Sequence, residues 1–85
     1  MINAIIIDDE QHCIDAIQKL AKSIGKLQIL NTYTTIEQAL KGVEKHQPDL
    51  VFLDVQINEA TGFDFLKYLK SITFEVIFKN LEFRC

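Results

Sequence analysis

The residues best suited to chemistry are carboxylates that end two apolar runs. Ala4-Ile5-Ile6-Ile7 stops at Asp8-Asp9-Glu10, and Leu50-Val51-Phe52-Leu53 stops at Asp54-Val55-Gln56. A cluster of hard oxygen ligands suits a Mg2+ ion and the phosphate chemistry that accompanies it. Asp8, Asp9 and Asp54 can form such a cluster only if the two runs are neighbouring strands. Each run is short and rich in β-branched or aromatic residues, the pattern of a parallel strand buried on both faces. In open α/β sheets, ligands bind just beyond the carboxyl ends of the strands, where these acids stand.

The elements that must position the acids follow from periodicity. Ile2 to Ile7 reads as the first strand. Glu10 to Ile24 carries Ile14, Ile17, Ala21 and Ile24 in steps of three and four, a helical stripe. Gly25 is placed to end that helix, with Lys22 and Lys26 near its negative end. Leu27 to Tyr33 reads as a second strand whose mixed polarity suits a sheet edge. Thr35 and Gln38 have capping-box spacing, and Ile36, Ala39, Leu40 and Val43 form the buried face of a second helix. That helix must stop before Pro48, the only proline. Leu50 to Leu53 is the third strand and Val55 to Thr61 a loop. Gly62 to Ser71 is expected to be a third helix with Phe63, Leu66 and Leu69 inward, followed by a fourth strand, Phe74 to Phe78. Strands alternating with helices imply right-handed crossovers and a parallel sheet. Lys79 to Cys85 breaks the rhythm: Leu81, Phe83 and Cys85 alternate with Glu82 and Arg84, as in an extra strand reached through a turn at Lys79-Asn80. The competing reading of this stretch is a frayed tail.

Bulk properties bound the function. At 85 residues the chain is at most one domain, and 48% hydrophobic with 25% charged residues is ordinary globular composition. A net charge of −3 argues against a nucleic-acid-binding surface in this segment. Cys13 and Cys85 show no CxxC spacing and read as two reduced thiols of a cytoplasmic protein. The N-terminus lacks the basic start and long apolar stretch of a signal peptide, and no run approaches the about 18 apolar residues of a membrane helix. His12 and His46 read as solvated side chains.

The chain resembles the receiver domain of bacterial two-component response regulators. The likeness rests on the acidic pair Asp8-Asp9 after the first strand, on Pro48-Asp49-Leu50-Val51-Phe52-Leu53-Asp54, and on Gly62 eight positions after that last acid. Gly62-Phe63-Asp64-Phe65-Leu66 is also similar to the third helix of regulators that carry a LytTR-type DNA-binding domain. The resemblance implies a flavodoxin-like parallel sheet of strand order 2-1-3-4, with residues 1–78 a partial receiver domain and 79–85 an atypical tail. It implies Asp54 as the phosphoacceptor, with Asp9 and Asp54 as Mg2+ ligands. Asp8 would be the second acid, reaching the metal through water, and the backbone carbonyl of Gln56 a further ligand. It further implies a sensor histidine kinase as partner, a transcription regulator as the full protein, and a phosphoacceptor switch rather than an enzyme.

The departures are equally specific. Asn58 stands where the family has a proline, an exchange expected to loosen the loop. The family's Thr or Ser switch position falls on Asn80. Beyond it the family continues with a fourth helix, a fifth strand ending in an essential lysine and a fifth helix, so an incomplete fold is expected. Lys79 lies where its side chain could reach the site in place of that lysine. The fourth strand, left as an apolar edge, is expected to drive self-association through Phe74 to Phe83.

Each signal has a plainer reading. Asp8-Asp9-Glu10 alone would be a charged helix start, and Asp54 alone a turn acid. The Phe-rich stretch from Phe63 to Phe83 reads as core before it reads as a ligand pocket. One rival function is a truncated, non-signalling fragment or dimerisation module that keeps the fold and metal site but not the switch. A Mg2+-dependent phosphohydrolase is a weaker rival, since the chain has no Asp-x-Asp pair at a strand end and no Gly-rich phosphate loop.

Overall fold

The computed structural model describes residues 1–79. Nine elements follow in chain order: β1 (Ile2–Ile7), α1 (Gln11–Ile24), β2 (Leu27–Tyr33), α2 (Ile36–His46), β3 (Leu50–Asp54), β4 (Gln56–Ile57), β5 (Ala60–Thr61), α3 (Gly62–Lys67) and β6 (Glu75–Lys79). The main sheet is wholly parallel, in the order β2-β1-β3-β6. β6 is the fourth strand of the sequence reading, so the expected 2-1-3-4 order holds. Its Glu75–Lys79 span lies one residue later than the Phe74 to Phe78 expected. The fold is flavodoxin-like.

The centre of the sheet is the centre of the core. Ala4, Ile5, Ile6 and Ile7 of β1 are all fully buried, because β1 is flanked by β2 and β3 and covered by helices. Ile5, Ile7, Val51, Leu53, Ala39, Ile57, Phe65 and Phe74 form one contiguous cluster, with Ile36, Leu40, Val43, Leu66 and Leu69 packed against it. α1 turns Cys13, Ile14 and Ala21 inward. Its predicted stripe runs one residue too far, since Ile24 is half exposed where the helix ends. Gly25 closes α1 in the left-handed region, φ 75°, with its N–H bonded to the Ala21 carbonyl. α2 starts as read, with Thr35 Oγ1 accepting the N–H of Gln38.

The segment from Val55 to Ser71 departs from expectation. The predicted loop contains a minimal hairpin, in which Gln56 pairs with Thr61 and Ile57 with Ala60. α3 is six residues long and stops at Lys67 rather than Ser71. Its inward residue is Phe65, which is fully buried, while Phe63 is exposed. The phase follows from the cap: Thr61 and Asp64 form a reciprocal capping box that fixes where the helix begins. Leu66 and Leu69 face the core as expected. The tail expected at 79–85, Asn80 and the Phe83 end of the apolar edge lie, apart from Lys79, outside the described residues.

Candidate acidic site at the carboxyl end of the sheet

Parallel register assembles the site. β1 pairs with β3 so that Ile7 lies opposite Leu53, which brings the next residues, Asp8 and Asp54, side by side. β3 pairs with β6 so that Asp54 lies opposite Lys79. Oxygen atoms of Asp8, Asp9 and Asp54 all fall within 4.8 Å of one another. Asp8 and Asp54 are buried and Asp9 is exposed.

Each acid is fixed by a backbone N–H. Asp8 Oδ1 accepts from Glu10 at 3.0 Å, Asp54 Oδ1 from Gln56 at 3.2 Å, and Asp9 Oδ2 from Asn58 at 2.8 Å. The second oxygens of the two buried acids face a cation. Lys79 Nζ lies 3.0 Å from Asp8 Oδ2 and 3.4 Å from Asp54 Oδ2, with 16% of its side chain exposed.

The electrostatics follow from burial and crowding. Burial raises the Asp54 pKa above the usual carboxylate value, the Gln56 N–H lowers it, Asp8 raises it again and Lys79 lowers it; the net shift is upward. For Lys79, burial pulls the pKa down, but the bonds and charges of Asp8 and Asp54 outweigh it, and the ammonium is held above its ordinary range. Two buried carboxylates this close repel each other, and Lys79 compensates part of that repulsion.

The loop after β3 is tied down at Asn58, contrary to the loosening expected there. Asn58 adopts φ 55°, donates its N–H to Asp9, donates Nδ2 to the Thr34 carbonyl at 3.1 Å, and accepts Gln56 Nε2 at 3.0 Å. A proline has no N–H to donate and cannot reach a positive φ. Gly62 sits equally close to the site: a Cβ there would lie 2.5 Å from the Asp54 carbonyl oxygen. That approach, which no side chain fits, is the physical need for glycine at the start of α3.

Sequence reasoning located Asp8, Asp9 and Asp54, and the structure brings all three together. Gln56 lies at the site's edge, its N–H on Asp54. Asn58 was missed as a partner of Asp9, because its contact depends on a left-handed backbone that the residue type only permits. Lys79 was legible as a neighbour but not as the partner of both buried acids. A second grouping, Glu10, His12 and Cys13, also lies within ligand distance. His12 is a solvated residue as read, its Nε2 3.4 Å from Glu10 Oε2. Cys13 is not a free thiol, which corrects the reading of it as reduced and withdraws it as a ligand.

The donor set fits Mg2+: three carboxylates in reach of one point supply hard oxygen ligands, and Mg2+ is usually bound by only one or two of them with water completing its shell. Among the described residues, no helix is long and apolar enough to cross a membrane.

Comparison with known proteins agrees with this geometry. The chain is 35% identical over 72 residues to the sensory transduction protein LytT of Bacillus subtilis, a match covering 85% of this chain and 30% of that protein. Among solved structures, the MaeR response regulator bound to beryllium trifluoride superposes with a TM-score of 0.86 at 26% identity, covering 95% of this chain and 68% of that one. The PhyR response regulator REC domain of Erythrobacter litoralis superposes with a TM-score of 0.81 at 32% identity, covering 93% and 62%. The chain spans only 28% to 33% of the length of five curated relatives it matches. Residues 4–79 match the response regulator receiver domain, and with an acidic cluster at the carboxyl end of a 2-1-3-4 sheet the chain belongs to that family of two-component signalling domains.

Proposed function

We propose that this domain accepts a phosphoryl group on Asp54 from a sensor histidine kinase, with Mg2+ bound. The observation that carries this reading is the placement of the Asp54 carboxylate between Asp8, Asp9 and Lys79 at the carboxyl end of β3. An Asp54 oxygen attacks phosphorus, the phosphorus–nitrogen bond of the donor histidine breaks, and the imidazole leaves as the proton acceptor. Asp8, Asp9, Asp54 and the Gln56 carbonyl are the residues that would hold Mg2+. The ion supplies charge neutralisation, since both nucleophile and phosphoryl group are anionic. Gln56 and Asn58 hold the acids through their N–H groups, so the nucleophile is oriented before the donor arrives. Asn80 is the proposed switch position, aligned with the family's Thr or Ser. The output is transcription regulation through a further domain of the whole protein, in keeping with the likeness to LytT, and the location is the cytoplasm. The domain is a switch, not a turnover enzyme.

We also propose self-association through β6. Among the described residues β6 pairs only with β3, and it leaves Ile77 49% and Phe78 37% exposed. Phe78 stacks on exposed Phe63 with ring centroids 5.1 Å apart, an apolar patch beside an open edge. Self-association through this edge is compatible with the switch and does not require the rival in which the switch is lost.

The test of phosphoacceptance is to add Mg2+ with a small-molecule phosphodonor and measure intact mass. A gain of one phosphoryl group that is lost in Asp54→Asn supports the reading. No gain in the wild-type chain refutes it, and sustained release of free phosphate would point to a hydrolase.

A further inference from the structure

The oxygens of the two buried acids at this site are already engaged. Asp8 Oδ1 and Asp54 Oδ1 are bonded to backbone N–H groups, and their other oxygens, Oδ2 in both cases, face the Lys79 ammonium at 3.0 and 3.4 Å. Lys79 is delivered there by the Asp54–Lys79 register of the β3–β6 pair, so the contact is built into the sheet. Its Nζ also lies 3.4 Å from Cys13 Sγ, which holds it on the α1 side of the cluster. From this arrangement we infer that Lys79 is a tethered counter-cation that competes with Mg2+ for Asp8 and Asp54, and so sets the metal affinity of the domain. The inference rests on the proposed metal site and deepens it.

The physics has a definite sign. Without metal, the ammonium offsets the repulsion between two buried carboxylates. When a divalent ion is taken up on the same oxygens, the ammonium becomes a like charge a few ångströms away, and its bonds to Oδ2 must break or be shared. A lysine suits this role because it is a compact charge on a flexible four-carbon stem and can leave. Removing the charge therefore destabilises the metal-free domain and tightens metal binding. A lysine needed to build the metal site would give weaker binding on removal.

The experiment is a calorimetric Mg2+ titration of the wild-type chain, Lys79→Met and Asp54→Asn, with thermal melts in chelator and in saturating Mg2+. The expected result is Mg2+ binding about tenfold tighter in Lys79→Met, equal to about 1.4 kcal/mol. The melting temperature of that variant should fall in chelator and recover with Mg2+. Equal or weaker Mg2+ affinity in Lys79→Met overturns the inference while leaving the metal site standing. Absence of binding in all three chains overturns both the metal site and the inference. If Lys79→Met fails to fold in chelator, acylation of lysines in the wild-type chain gives the answer by peptide mass. Lys79 should label severalfold faster with saturating Mg2+ than in chelator, and equal rates overturn the inference.

Discussion

Gly62→Ala tests the packing that places α3 against the phosphoacceptor strand. A Cβ at this position would lie 2.5 Å from the Asp54 carbonyl oxygen, 2.9 Å from Leu53 Cγ and 3.2 Å from Leu53 Cδ2. The first of these neighbours is backbone in the central sheet, and Leu53 is fully buried, so neither yields easily. Overpacking of this kind costs about 1–3 kcal/mol. Replacing glycine by alanine in a helix offsets about 0.5–1 kcal/mol of that through a less flexible unfolded chain. Taking the middle of each range, the expected net loss is about 1.3 kcal/mol, a fall in melting temperature on the order of 5–10 °C for a domain of this size. Urea unfolding followed by circular dichroism measures it, with the midpoint falling and the slope unchanged. The displacement also reaches the site, because the atom being crowded belongs to Asp54 itself, and the Gly62 N–H is bonded to the Val55 carbonyl at 2.8 Å. A Gly62→Ala chain as stable as wild type would refute the claim that close approach, rather than chain flexibility, demands glycine here.

Three other outcomes follow. Thr61→Ala removes the cap of α3 and is expected to cost about 1 kcal/mol in urea unfolding. The Thr61 N–H and hydroxyl hold the Asp64 carboxyl below its usual pKa. A carboxyl depressed by folding contributes stability that is present above its unfolded pKa and lost as pH falls through its folded pKa. Asp64→Asn should therefore flatten the acid limb of the stability profile, and an unchanged limb would contradict this assignment. In sedimentation at micromolar concentration the wild-type chain should run as a dimer or larger, and Phe78→Lys should shift it toward monomer. A clean wild-type monomer would dismiss association through β6.

How much of this could be read from the sequence varied by element, for physical reasons. β1 was legible to the residue and β3 to within one at its acid end, because buried parallel strands are continuous apolar runs ended by polar residues; β2, an edge strand of mixed polarity, was legible to the residue between Gly25 and the Thr35 cap. Pro48 and Gly25 bounded the helices for backbone reasons that hold in any context. α3 was misread in length and at one inward position, where Phe65 is buried in place of Phe63. A six-residue helix holds too little of the stripe to show its phase, and whether Phe63 or Phe65 turns inward is settled by the Thr61–Asp64 cap. The Gln56–Thr61 hairpin left no signal, since two-residue strands have no periodicity. Of the site, the acids were visible as strand ends. Lys79 was read as within reach of the site but not as the partner of both buried acids, because that pairing requires the Asp54–Lys79 register between segments 25 positions apart.

Whether Asp54 is the phosphoacceptor of a Mg2+-dependent switch is decided by the intact mass of the wild-type chain and Asp54→Asn after incubation with a small-molecule phosphodonor, with Mg2+ and with chelator. A single phosphoryl addition is expected in the wild-type chain with Mg2+, and none with chelator or in Asp54→Asn. Equal labelling of Asp54→Asn, or none in the wild-type chain, would overturn this assignment.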